Sequence, residues 1–387
     1  LSSIMKAKVP RRVELWFFFV LLSRIIQPAR PHTHTEMNRN NLPLSTLAAF
    51  IFSLSLLLCG TSSCSDDPVN AEGPTVCPEP PTPEELKSWW KEARFGLFIH
   101  YGVYSALAGE YNGPNTYGED IRFQSYGNLN TPDATQRGTG LGAEWIMSEA
   151  LIPQENYRSY VSGFTATKFN PREIVDLAKK AGMKYIILTS KHHEGFCLWD
   201  SPATDWNIAA SPAGEVWEND FIAPLARAAR EAGLKFGLYF SQFRDWMHPG
   251  APLPIAALTE GGSYSTEEQE EYMERYTYPM IKDLLERYDP DIFWWDGAYG
   301  NADFAEICDS LIRTYNPAIL QNDRLAPESG YAGDFATPEQ SMNEETVAEN
   351  SELCMTLNGS WGYNRFDTNW KHPSYLLYAL LRAQKLG

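Results

Sequence analysis

Apolar runs follow amphipathic helical patterns at regular intervals through most of the chain. The run AGMKYIILTS at residues 181 to 190 is echoed by AGLKFGLYFS at residues 232 to 241, and a helix-period pattern precedes each run. Glycine stops each predicted helix, lysine turns the chain, and an apolar strand follows. Such successive helix–strand units predict a parallel sheet with right-handed crossovers.

The same alternation extends along the chain in both directions. RFGLFIH at residues 94 to 100 predicts the first strand, and DIFWWDG at residues 291 to 297 predicts a buried strand after a helix at residues 267 to 288. A helix at residues 304 to 315 leads into another strand at residues 318 to 322. We therefore expect an α/β fold, a TIM-type (β/α)8 barrel, with an open doubly wound sheet as the competitor. The strands lack the Gly-rich phosphate loop that a nucleotide-binding fold requires.

Helix start signals and composition define the expected domain. Residues 65 to 84 are rich in Pro, Glu, Asp and Thr and predict an extended tether. Residues 82 to 85 supply an N-cap, a Pro at the first helical position and a Glu three residues on, so the catalytic barrel is expected at residues 85 to 387. Residues 109 to 142 lack any period and predict a long surface loop.

The N-terminal region predicts a targeting segment. The apolar runs at residues 15 to 22 and 47 to 58 are short for a membrane span, and the second follows Met37 and fits a signal peptide. We expect residues 1 to 64 to combine a spurious N-terminal extension with a signal peptide. Small residues before Cys64 favour lipidation of its thiol and membrane attachment, with ordinary signal peptidase cleavage as the alternative. Either route predicts export, to the periplasm or outer membrane of a bacterium.

Composition narrows the class of partner. The chain of 387 residues carries a formal net charge of −17, which argues against nucleic acid because phosphates demand a basic surface. Its 12 Trp and 13% aromatic residues suit sugars, whose apolar faces stack on rings. The six cysteines include no CxxC pair, so zinc and redox sites of that type are not expected, and buried free thiols are.

Polar, titratable and aromatic residues recur just after the predicted strands. Because the carboxyl ends of barrel strands open on one active site, these residues predict a single catalytic centre. Each one alone has a simpler explanation, such as helix capping for Asp296, a core position for a histidine or a surface ion pair for Arg324. The residues are His100, then Lys191 to Glu194, then Asp245 and Trp246, then Asp296, then Asp323 and Arg324.

The adjacent pair His192 and His193 raises the question of a metal. Neighbouring residues on a strand point to opposite faces, and the i, i+4 histidine spacing of a helical zinc site is absent. We therefore expect histidines that bind hydroxyl groups, with no metal.

Seven strings in this order resemble the α-L-fucosidases of glycoside hydrolase family 29 over about residues 85 to 366. They are FGLFIHYG, AEWIM, AGMKYIILTSKHHEGFCLWDS, KFGLYFSQFRDW, DIFWWDG, QNDR and GDFATPEQ. The resemblance implies a TIM-barrel fold and a retaining enzyme that releases terminal α-L-fucose without metal or cofactor. It also implies truncation, because relatives continue with a further strand after the helix at residues 373 to 385, so we expect a barrel incomplete at its C-terminal end.

The resemblance assigns roles to individual residues. It makes Asp296 the nucleophile. Tyr239 is a weaker match because Phe240 stands where a second Tyr is common, and Tyr101 replaces a frequent Trp. The residues that match the fucose-binding set are His100, Glu144, Trp145, His192, His193, Tyr239 and Arg324.

The acid/base has two candidates, Glu339 and Glu352. A retaining glycosidase needs a protonated carboxyl about 5 to 5.5 Å from its nucleophile, and family members differ over which of these two regions supplies it. We favour Glu352 because it leads directly into an apparent strand, although either residue could be a solvated loop carboxylate. The expected function is an exo-acting retaining α-L-fucosidase that acts on fucosylated glycans. The alternatives are an inactive fucose-binding fragment and a retaining glycosidase for another sugar, and the oligomeric state stays open.

Overall fold

The structure is a computed structural model that describes residues 82–114, 120–123, 142–248, 250–251, 266–297, 302–342 and 350–386. The predicted signal peptide, Cys64 and nearly all of the tether lie outside these residues. Among the helices of the described part, none is long and apolar enough to cross a membrane.

Seven strands occur in the described residues. Five of them form one parallel sheet in the order β1-β4-β5-β6-β7, and β2 pairs with β3 as an antiparallel hairpin. The strands are β1 Gly96–Ile99, β2 Tyr111–Pro114, β3 Asp120–Phe123, β4 Tyr185–Lys191, β5 Lys235–Ser241, β6 Ile292–Asp296 and β7 Leu320–Gln321.

Helices separate the parallel strands along the chain. A π-helical turn, Met273–Thr277, joins α8 to α9, within the range for which one helix is predicted. The helices are α1 Pro83–Ala93, α2 Tyr104–Leu107, α3 Ile146–Glu149, α4 Gln154–Ser159, α5 Pro171–Ala181, α6 Pro212–Val216, α7 Ile222–Glu231, α8 Thr266–Tyr272, α9 Tyr278–Tyr288, α10 Ala302–Tyr315 and α11 Pro373–Leu386.

Local sequence accounts for the helix boundaries. The Asn170 side chain accepts a hydrogen bond from the Glu173 backbone N–H at 3.2 Å, and Pro171 opens α5. Gly182 ends the helix in the left-handed region at φ +86°, where a residue without Cβ is favoured. The predicted order of helix, glycine and strand is therefore confirmed at this unit.

The sheet divides the buried apolar residues into two clusters. Ile186 and Leu188 of β4 pack in the larger cluster with the helices, whereas Ile187 belongs to the smaller cluster on the other face. This alternation follows from the two-residue period of a strand. Residues in register across the sheet face the smaller cluster; they are Phe98, Ile187, Gly237, Ile292 and Leu320.

Parallel pairing continues beyond β7 as isolated bridges. Asn322 pairs with Phe335, Ala336 with Ser351, and Glu339 with Cys354. The predicted α/β fold with a parallel sheet is thus confirmed, while closure into an eight-stranded barrel stays a prediction. A cleft of about 850 Å³ lies between β1 and residues 351 to 358, and α11 also lines it.

The described residues test two further predictions, the surface loop and the buried free thiols. The loop prediction for residues 109 to 142 is wrong where residues 111–114 and 120–123 pair as strands β2 and β3. The sequence pattern missed these strands because short strands with Gly and Pro carry little periodicity. Residues 115–119 and 124–141 lie outside the described part. Cys197, Cys308 and Cys354 are buried free thiols, as predicted. Cys77 is not among the described residues.

Candidate functional site

Asp296 lies at the carboxyl end of β6 and faces three polar side chains. Its carboxylate accepts a hydrogen bond from the Tyr239 hydroxyl at 2.6 Å and from Arg324 Nη1 at 3.2 Å. His193 Nε2 lies 3.6 Å from the same carboxylate. Burial alone would raise the pKa of Asp296, but the positive charge of Arg324 and the Tyr239 hydrogen bond lower it below its ordinary value. The group is therefore held as an anion.

Three histidines gather beside this carboxylate. The ring centroids of His100 and His192 are 5.6 Å apart, and those of His192 and His193 are 4.2 Å apart. Burial lowers the pKa of His100 to about 3 and holds the pKa values of His192 and His193 well below the ordinary value. All three rings are neutral at physiological pH, so each nitrogen without a proton can accept a hydrogen bond.

The unbonded ring nitrogens indicate where a ligand would bind. Within the described part of the chain, the buried Nδ1 atoms of His100 and His192 have no hydrogen-bond partner. By contrast, His193 Nδ1 lies 2.8 Å from the Ser241 hydroxyl oxygen. Because buried polar atoms are normally satisfied, the two nitrogens favour a polar ligand at this place.

Aromatic rings flank the histidines on two sides. Trp145 meets His193 edge to face with ring centroids 5.0 Å apart, and Arg244 lies 4.9 Å above the Trp145 ring. Trp361 stacks on His100 at 5.0 Å and 26°. Sequence reasoning did not select Trp361 or Arg244, although the tryptophan in SWGY was a visible aromatic marker. The arrangement suits a ligand that is apolar on one face and hydroxylated on another.

Glu144 is buried beside these rings in the 3-10 turn Ala143–Trp145. One carboxylate oxygen accepts the Gly362 backbone N–H at 2.6 Å, while Oε1 has no partner among the described residues. Burial raises the pKa of Glu144 to about 7. The side chain can therefore donate or accept a hydrogen bond near neutral pH.

Glu339 shares a partner with Asp296. Arg324 Nη2 donates to Glu339 Oε2 at 3.1 Å, while Nη1 of the same guanidinium contacts Asp296. Trp361 Nε1 donates to the other oxygen of Glu339 at 2.9 Å. The glutamate side chain is 44% exposed. Glu339 thus lies at the solvent-facing rim of the same group of residues.

Glu352 occupies a deeper position. Its carboxylate accepts from the Tyr185 hydroxyl at 2.6 Å and from Trp294 Nε1 at 2.9 Å. Tyr185 is the first residue of β4, and Trp294 precedes Asp296 by two residues, so both donors originate below the strand ends. Burial raises the pKa of Glu352. Of the predicted site residues, His100 and Glu352 line the 850 Å³ cleft, and Asp296 does not.

Three other residues at the ends of the strands or just after them support the loops. Lys191 and Asp245 form an ion pair at 3.2 Å with both side chains fully buried. Glu194 accepts the backbone N–H groups of Val103 and Tyr104 at 2.9 and 3.3 Å. These residues hold the strand-end loops together and do not join Asp296.

A potential set of metal ligands lies in the site. Ligand atoms of His192, His193 and Asp296 fall within 4.8 Å of one another. Arg324 already neutralises Asp296, which disfavours a second cation there. The expectation of a reaction without metal stays a prediction.

Comparison with known proteins identifies related chains. The family model described as alpha-L-fucosidase matches residues 77–385. Bovine tissue alpha-L-fucosidase is 29% identical over 313 residues, covering 78% of this chain and 61% of that protein. Rat tissue alpha-L-fucosidase is 31% identical over 295 residues, covering 72% of this chain and 56% of that protein. The chain therefore spans about three fifths of the length of these relatives.

Solved structures agree with this result. Alpha-L-fucosidase AlfC from Lactobacillus casei, in complex with its alpha-L-fucose product, superposes with a TM-score of 0.63 at 28% identity, covering 78% of this chain and 88% of that one. Isoenzyme 1 from Paenibacillus thiaminolyticus superposes with a TM-score of 0.60 at 31% identity, covering 78% and 67%. Since the family model spans most of the chain, this protein belongs to the alpha-L-fucosidase family.

Proposed function

We propose that the protein is an exo-acting retaining α-L-fucosidase that hydrolyses terminal α-L-fucose from glycans. The observation that carries the proposal is the anionic Asp296, held by Arg324 and Tyr239 and facing neutral histidines with unbonded nitrogens. A solved relative, AlfC, is described with a bound 4-nitrophenyl fucopyranoside and with Fuca(1,6)GlcNAc. Those ligands support fucosylated glycans as the substrate class here.

Asp296 is the proposed nucleophile. Its carboxylate attacks the anomeric carbon of fucose as the glycosidic bond breaks, and the departing oxygen takes a proton from the acid. This step leaves fucose bonded to the Asp296 carboxylate. The acid residue, now deprotonated, then takes a proton from water, whose oxygen attacks the anomeric carbon, breaks the bond to Asp296 and releases fucose. The low pKa of Asp296 keeps the nucleophile ionised while substrate binds.

Glu339 is the proposed acid/base, in place of the Glu352 favoured from sequence. Glu339 shares the Arg324 guanidinium with Asp296 and lies at the rim, where a leaving group has space. Glu352 has the raised pKa that suits an acid, but Tyr185 and Trp294 hold it below the strand ends. The position of the carboxyl group decides between the two residues before its pKa does, because a proton donor must reach the glycosidic oxygen.

The remaining site residues are proposed to hold fucose. His100, His192 and Glu144 offer unbonded atoms to its hydroxyl groups. The rings of Trp145 and Trp361 supply apolar contact for the sugar face and its methyl group.

The test compares the parent protein with Asp296→Ala on 4-nitrophenyl α-L-fucopyranoside. We expect kcat to fall by about 10³-fold or more, because no other group replaces the nucleophile. Asp291→Ala is the matched control, since Asp291 precedes the same strand and pairs with Lys235 at 2.6 Å. Equal turnover by Asp296→Ala and the parent would refute the proposal. If the parent binds fucose without turnover, the result favours the inactive fucose-binding fragment. If it hydrolyses another aryl glycoside instead, the result favours a retaining glycosidase for another sugar.

Two wider features complete the proposal. We propose that the parallel strands belong to a (β/α)8-type barrel, which the further parallel bridges after β7 support. We also propose export to the periplasm or outer membrane of a bacterium, with Cys64 lipidated. Incorporation of labelled palmitate that disappears in Cys64→Ser would support the lipid anchor.

A further inference from the structure

The buried side chain of Gln242 joins two backbone segments behind the candidate site. Gln242 is 1% exposed and follows directly after β5. Its Oε1 accepts the backbone N–H of Asp296 at 3.0 Å. Its Nε2 donates to the backbone carbonyls of Arg324 at 3.1 Å and Leu325 at 3.0 Å.

These contacts close a ring around the proposed nucleophile. The Gln242 amide connects the Asp296 backbone to the Arg324 backbone, and the side chains of Asp296 and Arg324 meet at 3.2 Å. The amide orientation is fixed by its partners, because the N–H needs an acceptor and the two carbonyls need donors. Behind the ring, Thr277 Oγ1 donates to the Gln242 backbone carbonyl at 2.6 Å.

Backbone pairing alone does not supply this connection. Strand β7 contains two residues, and its ladder with β6 ends at the pair Phe293 and Gln321. Beyond that pair, the Asn322 side chain bonds both the N–H and the carbonyl of Trp295, at 2.7 and 2.9 Å. At the next residue, the backbone N–H of Asp296 donates instead to the side chain of Gln242. Gln242 follows β5, which lies on the other side of β6 from β7.

We propose that Gln242 is a positioning residue that sets the distance between the Asp296 carboxylate and the Arg324 guanidinium. The inference rests on the proposed fucosidase function. The hydrogen bonds of the Gln242 amide to Asp296 and Arg324 go to backbone atoms, so we infer that it acts through these two residues. Without the amide, the Arg324 backbone loses its link to the Asp296 backbone, while Thr337 and Glu339 still bind the guanidinium. We expect the guanidinium to move with these partners, away from the carboxylate.

Two substitutions separate the amide's functions. Gln242→Met has a similar length and removes all three hydrogen bonds. Gln242→Glu keeps an oxygen for the Asp296 N–H but places its second oxygen against two carbonyls. A protonated Glu still donates to one carbonyl, so the activity of this variant relative to the parent at the same pH should rise as the pH falls, whereas the relative activity of Gln242→Met should not.

Asn207→Leu is a matched control for the loss of a buried amide. Asn207 is 4% exposed and has the same bonding pattern as Gln242. It donates to the carbonyls of Ser201 and Thr204 at 3.3 and 2.7 Å and accepts from the Ala209 N–H at 2.9 Å. None of these partners belongs to the candidate site.

The experiment measures kcat, KM and the pH profile on 4-nitrophenyl α-L-fucopyranoside, together with the thermal midpoint. For Gln242→Met we expect kcat to fall by about 10²-fold with a smaller change in KM, because a misplacement near 1 Å has this effect. The acid limb of kcat/KM should move to higher pH, since Asp296 loses part of its cationic partner. Asn207→Leu should lower the thermal midpoint without moving kcat or the limb.

A crystal structure of Gln242→Met provides a readout that does not need turnover. The Arg324 Nη1 to Asp296 Oδ1 distance should exceed about 4 Å, the limit for an ion pair. A distance unchanged at 3.2 Å, or an unchanged kcat and acid limb in a destabilised Gln242→Met, would overturn the inference. If the parent protein has no fucosidase activity, the proposed function fails and this distance still decides the positioning role.

Discussion

Replacement of Tyr239 by phenylalanine isolates one hydrogen bond to the proposed nucleophile. The Tyr239 hydroxyl donates to Asp296 at 2.6 Å, and both the hydroxyl and the bond are lost in Tyr239→Phe. The ring itself is held independently of its hydroxyl. It stacks on His192 at 5.5 Å and on Trp294 at 5.6 Å, so the phenylalanine ring should keep its place.

The size of the effect follows from the charge on Asp296. A hydrogen bond to a charged group contributes about 1.5 to 3 kcal/mol, which corresponds to about 1 to 2 pKa units. Burial opposes ionisation of Asp296, and the Tyr239 donor is one of the interactions that lower its pKa. Removal of the donor therefore raises this pKa. We expect the lower part of the range because Arg324 remains at 3.2 Å.

The assay is the pH dependence of kcat/KM on 4-nitrophenyl α-L-fucopyranoside. The nucleophile must be ionised, so activity disappears as the pH falls through the pKa of Asp296. With that pKa raised, the acid limb of Tyr239→Phe should lie about 1 unit above that of the parent.

Tyr185→Phe is the matched control. It removes a hydroxyl that donates to Glu352 at the same distance of 2.6 Å, and it should leave the acid limb unchanged. An acid limb of Tyr239→Phe that stays within about 0.3 units of the parent, or that moves to lower pH, would refute the reasoning. A shift of the basic limb in Tyr185→Phe would instead identify Glu352 as the acid/base.

Three further predictions concern the acid and the stability of the fold. Glu339→Gln should lower kcat/KM by about 10² to 10⁴-fold for a fucoside with a poor leaving group, but much less for α-L-fucosyl fluoride, whose departure needs no proton. Glu352→Gln should change kcat/KM for both substrates by a similar factor. If Glu352→Gln instead impairs only the fucoside with the poor leaving group, and Glu339→Gln affects both substrates alike, Glu352 is the acid. Lys191→Met removes the ammonium partner of the buried Asp245, which keeps His248 and Tyr272 as partners. Urea unfolding should therefore show a loss of about 3 kcal/mol, the lower end of the range for breaking a buried ion pair. A loss below about 1 kcal/mol, the range of a surface pair, would contradict this. Gly237→Ala places a Cβ 2.9 and 3.0 Å from two isoleucine side chains, and the same measurement should show a loss of about 1 to 3 kcal/mol, whereas an unchanged midpoint would contradict the close contact.

Local sequence determined the secondary structure of the parallel units. Asn170 and Gly182 cap α5 through contacts with residues at most four positions away, so its boundaries were predictable. The alternation of Ile186 and Ile187 between two clusters likewise follows from the period of a strand. The hairpin β2–β3 was missed because its strands carry no such period.

The resemblance between short strings predicted the family and the residues of the candidate site. The structure brings His100, His192, His193 and Arg324 to the same place as Asp296, although the chain separates the first and last by more than two hundred positions. Their roles remain proposals that the kinetic experiments test.

The sequence by itself determined that strands end in polar groups, and therefore which residues could form a site. Only the tertiary structure decided that Glu339 shares the Arg324 guanidinium with Asp296 and that Glu352 lies below the strand ends. It also decided that Gln242 connects the backbones of Asp296 and Arg324. These contacts join residues that are far apart in the chain. Their distances depend on which distant segments pack together and on the path of the loops between them, and a local pattern of hydrophobic and polar residues specifies neither.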